Sequence, residues 1–495
     1  MSPSPLLIRL AEQPPDAVAV VDADGARTSY GALARRSTAA AFGLSVQGVA
    51  GQTVVFLVEP GARYVEILVA IWRAGGIAVP LSPLHTAPEL QHVVQDAAPM
   101  VLVVSDALAP RLAGMASPLS GKEPMRAESL VDLAPPAVPP PLPAAGADAL
   151  MLYTSGTTGR PKGVRLTHAA LAATVASLEE AWRWQRDDRL LHVLPLHHTH
   201  GLVVALQGAL WSGAETRFAA FDADDIWDQL AAASVFMAVP TIYTKMMQAF
   251  AAAPAERRAR WTAAARGLRL FTSGSASLPA ALLEAFRQAT GQTILERYGM
   301  TEIGMALSNP YDGPRVPGAV GRELPGVRVD IVDESGRAMP TGEAGELRVR
   351  TPQMFSAYHG DADATAAGFD AEGRFRTGDT GTRDADGVVR LLGRTSIDII
   401  KSGGYKLSAL EIEAVLLEHP AVAEVAVIGV PDPTWGECVT AWVVARGSTP
   451  PTLAELQAFA RERLAPYKLP RALELCPALP RNAMGKVQKQ RLRSP

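Results

Sequence analysis

Short apolar runs recur along the first three-fifths of this chain: "VVFLV" (Val54–Val58), "MVLVV" (Met100–Val104) and "VFMAV" (Val235–Val239). Each reads as a buried strand. Between them lie Ala-rich amphipathic stretches long enough for helices, such as Ala62–Ala74, His168–Trp182 and Pro279–Thr290. That alternation, held to about residue 310, specifies an α/β class with a largely parallel sheet and covering helices. At 495 residues the chain is too long for one core, so two or three domains are expected.

The texture changes near Gly318. "VRVDIVDESGRAM", "GELRVR" and "TRDADGVVRLLGR" alternate with period two, with turn signals at Asp333–Gly336 and Asp384–Gly387. They read as antiparallel hairpins. After Arg394 comes a helix near Ser408–Glu418, strands "VAEVAVIGV" and "CVTAWVVA", a helix near Leu453–Leu464 and a polar tail. The expected organisation is a large N-terminal domain of packed α/β sheets with an antiparallel β subdomain, residues 1–394. A small α+β domain, residues 395–495, follows. The Pro-rich "APPAVPPPLPAAGA" (Ala134–Ala147) is a surface connection leading into the strand "ALMLYT".

The totals exclude several classes. The formal net charge of −3, without a long basic run, argues against nucleic acid. Cys438 and Cys476 suggest neither a disulfide framework nor a metal knuckle. No apolar stretch is long enough to span a bilayer. The opening "MSPSPLLIRL" lacks a charged n-region and a full apolar h-region, so an unprocessed cytoplasmic enzyme is expected.

Candidate chemistry sits in seven stretches. "YTSGTTGRPKGV" (Tyr153–Val164) gathers glycines and hydroxyls around Arg160 and Lys162, directly after a buried strand. Backbone N–H groups and hydroxyls of this kind wrap an anion. The spacing differs from the P-loop, since Lys162 stands three residues after Gly159. A plain surface turn is the alternative. "LPLHHTHGL" (Leu194–Leu202), just after His192, holds His197, His198 and His200 without interleaved Cys, Asp or Glu, which favours a pocket wall or a polar cap under Gly201 over zinc. "LFTSGSASLP" (Leu270–Pro279) and "ERYGMTE" (Glu296–Glu302) are strands entering glycine turns, where open α/β sheets bind ligands. Glu302 is a candidate helix-cap partner or Mg²⁺ ligand. In "FRTGDTG" (Phe375–Gly381), Asp379 is either an Asx turn or an acceptor for ribose hydroxyls. "GRTSIDIIKSGGYKL" (Gly393–Leu407) puts paired glycines between basic residues, and "PRNAMGKVQK" (Pro480–Lys489) carries Lys486 in a polar turn.

In this order and at these separations the stretches resemble the adenylate-forming superfamily of acyl-CoA synthetases, adenylation domains and luciferases. The resemblance runs from "TSYGALARRS" (Thr28–Ser37) to Lys486. It implies that Thr154, Ser155, Gly156, Thr157, Thr158, Gly159 and Lys162 hold the β- and γ-phosphates of ATP. Gly274, Ser275, Ala276 and the Tyr298 ring bracket adenine, with Glu296 and Gly299 also in the nucleotide site. Thr301 touches the α-phosphate and Glu302 binds Mg²⁺. Asp379 takes the ribose hydroxyls, helped by Arg394. Lys486, on a C-terminal domain made mobile by a hinge within Arg394–Asp398, bridges the acid and the α-phosphate. Lys401, Ser402, Gly403 and Gly404 line the way for coenzyme A. Lys486, Glu302, Thr301 and His198 form the implied catalytic set.

Arg297 before "YGMTE", together with "LPLHHTHGL", "TSGSASLP" and "IKSGGYK", looks like the malonyl-CoA synthetases. Arg297 then holds the distal carboxylate of malonate or methylmalonate, with Lys245 of "PTIYTK" as a second clamp. A structural pairing of Arg297 with Glu296 is the alternative. The expected activity is ATP-dependent ligation of malonate to coenzyme A through an acyl-adenylate, releasing AMP and pyrophosphate, by a monomer or small homo-oligomer. A ligase for another short, medium-chain or aromatic acid is a rival, as is an adenylation module, which would need a carrier domain beyond Lys486.

Overall fold

The computed structural model describes residues 2–112, 123–154, 161–395, 397–402, 405–481 and 487–492. The chain divides into two compact units. One is Met1–Arg328 with Val349–Phe375, and the other is Val329–Arg348 with Arg376–Pro495.

The first unit contains a seven-stranded and a nine-stranded sheet. In the seven-stranded sheet, Thr53–Leu57 runs parallel to Ile77–Pro80 and Val101–Val104, and all three strands are buried at every position. Helices cover such a sheet on both faces, so the runs are apolar throughout instead of alternating. Towards one edge the sheet turns antiparallel. Asp148–Thr154 pairs with Lys162–Thr167, Thr154 opposite Lys162. The Gly- and hydroxyl-rich stretch therefore joins two strands of a hairpin, and the helix His168–Trp182 starts only after the second strand. Thr167 caps that helix by accepting the Ala170 N–H, and Arg183 ends it in the left-handed region at φ 52°.

In the nine-stranded sheet Val235–Ala238, Leu270–Ser273 and Leu295–Met300 run parallel and adjacent, so their carboxyl ends share one edge. Behind them Trp227 and Trp261 stack at 5.6 Å, and Phe286 lies 6.2 Å from Trp227. The last of the three strands departs from the sequence expectation. It passes through Gly299 to Met300 and folds back antiparallel on Gly304–Ser308. A Cβ on Gly299 would lie 2.2 Å from the Gly304 carbonyl oxygen, so only glycine permits that close return. No helix begins at Glu302, which removes the helix-cap reading of that acid.

The second unit holds most of a four-stranded sheet, in which Phe375–Arg383 and Val389–Arg394 pair antiparallel, and all of a five-stranded one. Tight turns fall where expected. The Gly336 N–H reaches the Asp333 carbonyl at 3.1 Å and the Gly387 N–H reaches that of Asp384 at 3.0 Å, both glycines having positive φ. Helices Ala409–Leu417 and Leu453–Arg461 bury Ile412, Leu416, Leu456 and Ala460 against the five-stranded sheet. Thr452 and Glu455 form a capping box at the start of the second helix.

Candidate active site

Several of the candidate residues named from the sequence gather at the edge formed by the three parallel strands of the first unit. Arg297 lies in Leu295–Met300 and is only 4% exposed. Neighbouring residues of a strand point to opposite faces. Glu296 accordingly turns away, and its Oε1 accepts the Leu278 N–H at 3.0 Å, tying down the Gly274–Leu278 turn. The Arg297 guanidinium lies against Gly274, where an added Cβ would sit 2.3 Å from Cζ. Its Nε and Nη2 are buried without a hydrogen-bond partner, and no carboxylate among the described residues forms an ion pair with it. The alternative pairing with Glu296 is thus not what the structure shows. Burial lowers the Arg297 pKa to about 10, which leaves it charged at neutral pH.

His200 stands beside this charge. It opens a wide-turned π-helix, His200–Gln207, of the kind often found at functional sites. Its Nδ1 lies 3.5 Å from the Ser275 Oγ, and its Nε2 is buried with no hydrogen-bond partner. Burial, and then the positive charge of Arg297, hold its pKa well below the usual range, so the ring is neutral. Ser275 itself sits in the left-handed region at φ 68°, and Ser275 and Ala276 are exposed at the end of their strand. Thr199 and Thr301 share a hydroxyl–hydroxyl hydrogen bond of 2.9 Å.

A second cluster joins the hairpin to the "YGMTE" turn. The Tyr358 hydroxyl donates to Glu302 Oε1 at 3.0 Å. Lys162 Nζ lies 5.3 Å from the centre of the Tyr358 ring and 3.1 Å from Asp361 Oδ2. One tyrosine thus connects the cation of the phosphate-type loop to the acid named for the metal. Among the described residues no group of three or more His, Cys, Asp or Glu is placed to hold a metal ion. The carboxylate of Glu302 is the kind of single donor that Mg²⁺ takes, since this ion uses few protein carboxylates and completes its shell with phosphate oxygens and waters.

His192 makes a 2.9 Å hydrogen bond between Nε2 and the Gly201 carbonyl, the polar cap expected there. His85, His197 and His198 pack in series, with ring centres 5.1 and 4.0 Å apart. Burial lowers the pKa of His197 to about 2 and of His198 to about 4, so these rings are neutral too. Lys245 lies exposed on the helix Pro240–Ala252, with Nζ 5.8 Å from the Phe221 ring centre. It makes a weaker case than Arg297 for holding a desolvated carboxylate. Tyr298 is buried beside Gly299.

In the second unit, Asp379 and Arg394 face each other across antiparallel strands. Arg394 Nε lies 3.0 Å from Asp379 Oδ1, and Nη1 donates to the Thr377 carbonyl at 2.8 Å. Lys401 is exposed, while Ser402 is buried with an Oγ that lacks a hydrogen-bond partner. Ser155, Gly156, Thr157, Thr158, Gly159, Gly403, Gly404 and Lys486 lie outside the described residues. Tyr358, Asp361 and His85 went unnoticed in the sequence. Only Asp361 carried a local signal, as the cap of Ala362–Ala367.

Comparison with known proteins bears on the whole chain. Residues 7–359 match the AMP-binding enzyme model, and residues 411–486 match the model of the AMP-binding enzyme C-terminal domain. This chain belongs to the AMP-binding enzyme family. Within that family it is 42% identical to the mitochondrial malonate–CoA ligase ACSF3 of Mus musculus, over 96% of this chain and 88% of that one. It is also similar to the ATP-bound crystal structure of MatB from Rhodopseudomonas palustris, with 37% identity, a TM-score of 0.89 and coverage of 99% and 98%. A malonyl-CoA ligase solved as a ternary product complex with methylmalonyl-CoA and AMP is 38% identical, with a TM-score of 0.71 over 97% of this chain and 100% of that one. Among the described residues no helix is long and apolar enough to cross a membrane.

Proposed function

We propose that this member of the AMP-binding family is an acid–thiol ligase that joins malonate to coenzyme A, converting ATP to AMP and pyrophosphate. The observation that carries the choice of acid is Arg297, a buried guanidinium with no carboxylate partner among the described residues. An unpaired buried charge costs several kcal/mol, and a dianionic substrate supplies the missing charge. The planar fork suits a carboxylate held by two parallel hydrogen bonds. Methylmalonate is the second reading, because a 38% identical ligase was solved with methylmalonyl-CoA.

In this reading one carboxylate of malonate attacks the α-phosphorus of ATP. Pyrophosphate leaves, and an acyl-adenylate forms. Attack by the coenzyme A thiol then expels AMP, a far better leaving group than oxide. The first step brings anions together, so fixed positive charge at the meeting point lowers its barrier. Lys486 acts at the α-phosphate, with Thr301 beside it. Lys162 and the loop of Thr154 to Gly159 hold the departing phosphates. Glu302 would hold Mg²⁺, which when bound would supply further positive charge at the phosphates. Gly274, Ser275, Ala276, Tyr298 and Gly299 receive adenine, with Glu296 securing their turn. Asp379 and Arg394 take the ribose. His198 and its neutral neighbours wall the acyl site, and neutral His200 is a hydrogen-bond donor beside Arg297. Residues 395–495 form the part that moves between the two steps, turning about a hinge within Arg394–Asp398. Lys401, Ser402, Gly403 and Gly404 then line the path of the pantetheine arm.

We place this enzyme in the cytoplasm, as a monomer or small homo-oligomer acting on small molecules without nucleic acid or membrane. The mouse relative is named mitochondrial, and cell fractionation decides between the two locations. The activity is tested by AMP release with malonate, methylmalonate, butyrate and hexanoate, each with and without coenzyme A. Coenzyme-A-dependent release is expected with malonate and to a lesser degree with methylmalonate. Equal or greater release with hexanoate would remove the malonate reading.

A further inference from the structure

Three residues beyond Lys486, a lysine is buried between two acids. Lys489 is 8% exposed, yet its Nζ lies 2.6 Å from Asp398 Oδ1 and 2.7 Å from Glu413 Oε1. Burial alone would lower its pKa, but the charges and hydrogen bonds of Glu413 and Asp398 together outweigh that and raise it. The lysine is therefore cationic at any working pH. A solvated tail lysine has no need of two partly buried carboxylates.

Both acids are fixed by other bonds. Asp398 Oδ2 accepts the Arg394 N–H at 3.0 Å, and the Asp398 N–H returns to the Arg394 carbonyl at 2.7 Å. A Cβ on Gly393 would lie 2.4 Å from the Asp398 Cβ, so the strand end is shaped to admit this aspartate. Glu413 Oε1 accepts the Val427 N–H at 2.6 Å. Arg394 is the residue whose guanidinium holds Asp379. The tail is gripped elsewhere as well. Arg481 and Val487 form an antiparallel bridge, the Gln488 N–H reaches the Pro480 carbonyl at 2.7 Å, and Leu479 and Leu492 are buried against Ala426 and Ile428. Apolar contacts and backbone bonds suffice to attach a tail. A buried cation adds direction, because its two acids accept it in one geometry only and the loss of either leaves a buried charge.

We infer that Lys489 is a positioning residue for adenylate formation: clamped by Asp398 and Glu413, it registers the tail that carries Lys486 against the strand end at Arg394, whose guanidinium holds Asp379 on the neighbouring strand. The inference rests on the role proposed above for Lys486. Lys489 itself touches no reacting atom.

Both half-reactions, measured on the full chain, test it. One is malonate-dependent pyrophosphate exchange, and the other is thioester formation from presynthesised malonyl-adenylate and coenzyme A. Lys489→Met is expected to lower kcat for exchange by ~10-fold or more, with KM for ATP and malonate changed by less than about threefold and the thioester step largely kept. Lys489→Arg, which keeps the charge, is expected to restore part of the loss. The double variant Lys486→Ala/Lys489→Met is expected to be no slower than Lys486→Ala alone, since one residue acts through the other. A lysine that merely stabilised the unit would lower the melting temperature and slow both half-reactions alike. That outcome overturns the inference, as do unchanged exchange or losses that multiply in the double variant. If Lys489→Met does not fold, Glu413→Gln decides, with the same split at smaller size expected and its absence counting against. Should Lys486→Ala leave exchange intact, the assignment of Lys486 fails and takes this inference with it. Should Lys486→Ala abolish exchange while Lys489→Met spares it, only the inference fails.

Discussion

At the scale of single residues, the decisive relation is between a glycine and an arginine. Gly274 has ordinary backbone dihedrals, but the Arg297 guanidinium occupies the space where its Cβ would stand. Gly274→Ala must displace the guanidinium, because an added carbon 2.3 Å from Cζ is far inside van der Waals contact. The expected result is a KM for malonate raised by about 10-fold or more with a smaller change for hexanoate. Equal changes for both acids would mean that the glycine serves only the nucleotide. Arg297 was visible in the sequence as a cation before "YGMTE", but its lack of a partner was not, since that depends on which way Glu296 faces. Tyr358 was hidden for another reason. It reaches Glu302 across 56 positions of chain from a two-residue edge strand with no distinctive pattern of its own.

At the scale of elements, period and caps made most helices and strands legible. His168–Trp182 was expected at the residues where it occurs, because Thr167 and a regular apolar spacing frame it. What stayed hidden were two antiparallel returns whose connections are longer than the two-residue turns that mark a hairpin in sequence. The strand through Gly299 to Met300 is one, and the hairpin Asp148–Thr154 with Lys162–Thr167 is another. Buried histidines elsewhere in the first unit make stability depend on pH. Burial lowers the pKa of His168 and of His192 to about 4. The unfolded chain then binds more protons between about pH 6.5 and pH 4, so stability is complete above about 6.5 and declines as pH falls through that window. Each such histidine contributes a slope of up to about 1.4 kcal/mol per pH unit. Denaturant midpoints at pH 7.5, 6 and 5 are expected to fall in that order and to fall less steeply in His168→Gln. A flat profile in the unsubstituted chain would contradict the burial of neutral rings. The antiparallel pairing of Ile399–Ser402 with Tyr405–Ser408 supports a different test, because the sequence between them carries Gly403 and Gly404, which are proposed above to line the pantetheine path. Gly404→Leu is expected to block coenzyme A transfer while adenylate still forms, with a melting curve to show that the variant folds. Normal thioester turnover in the folded variant would take the pantetheine path away from this segment.

At the scale of the whole molecule, the sequence foretold two textures, parallel α/β followed by antiparallel β and a small α+β portion. Which segments belong to which compact unit was not legible. Residues 329–348 join the second unit and 349–375 the first, because strands crossing between distant chain positions decide that grouping. The candidate site residues divide along the same lines. Arg297, His200, Lys162 and Glu302 belong to one unit, and Asp379, Arg394 and Lys489 to the other. The central claim is that this ligase selects a dicarboxylic acid through one buried guanidinium. Arg297→Leu, followed by steady-state kinetics on malonate, methylmalonate and hexanoate, tests it most directly. If truncating a buried charged contact costs about 3–5 kcal/mol, KM for malonate is expected to rise by roughly 10²-fold or more. Methylmalonate is expected to follow malonate, while hexanoate changes little or improves. Equal losses on all three acids would contradict the claim and assign Arg297 to the fold or the nucleotide.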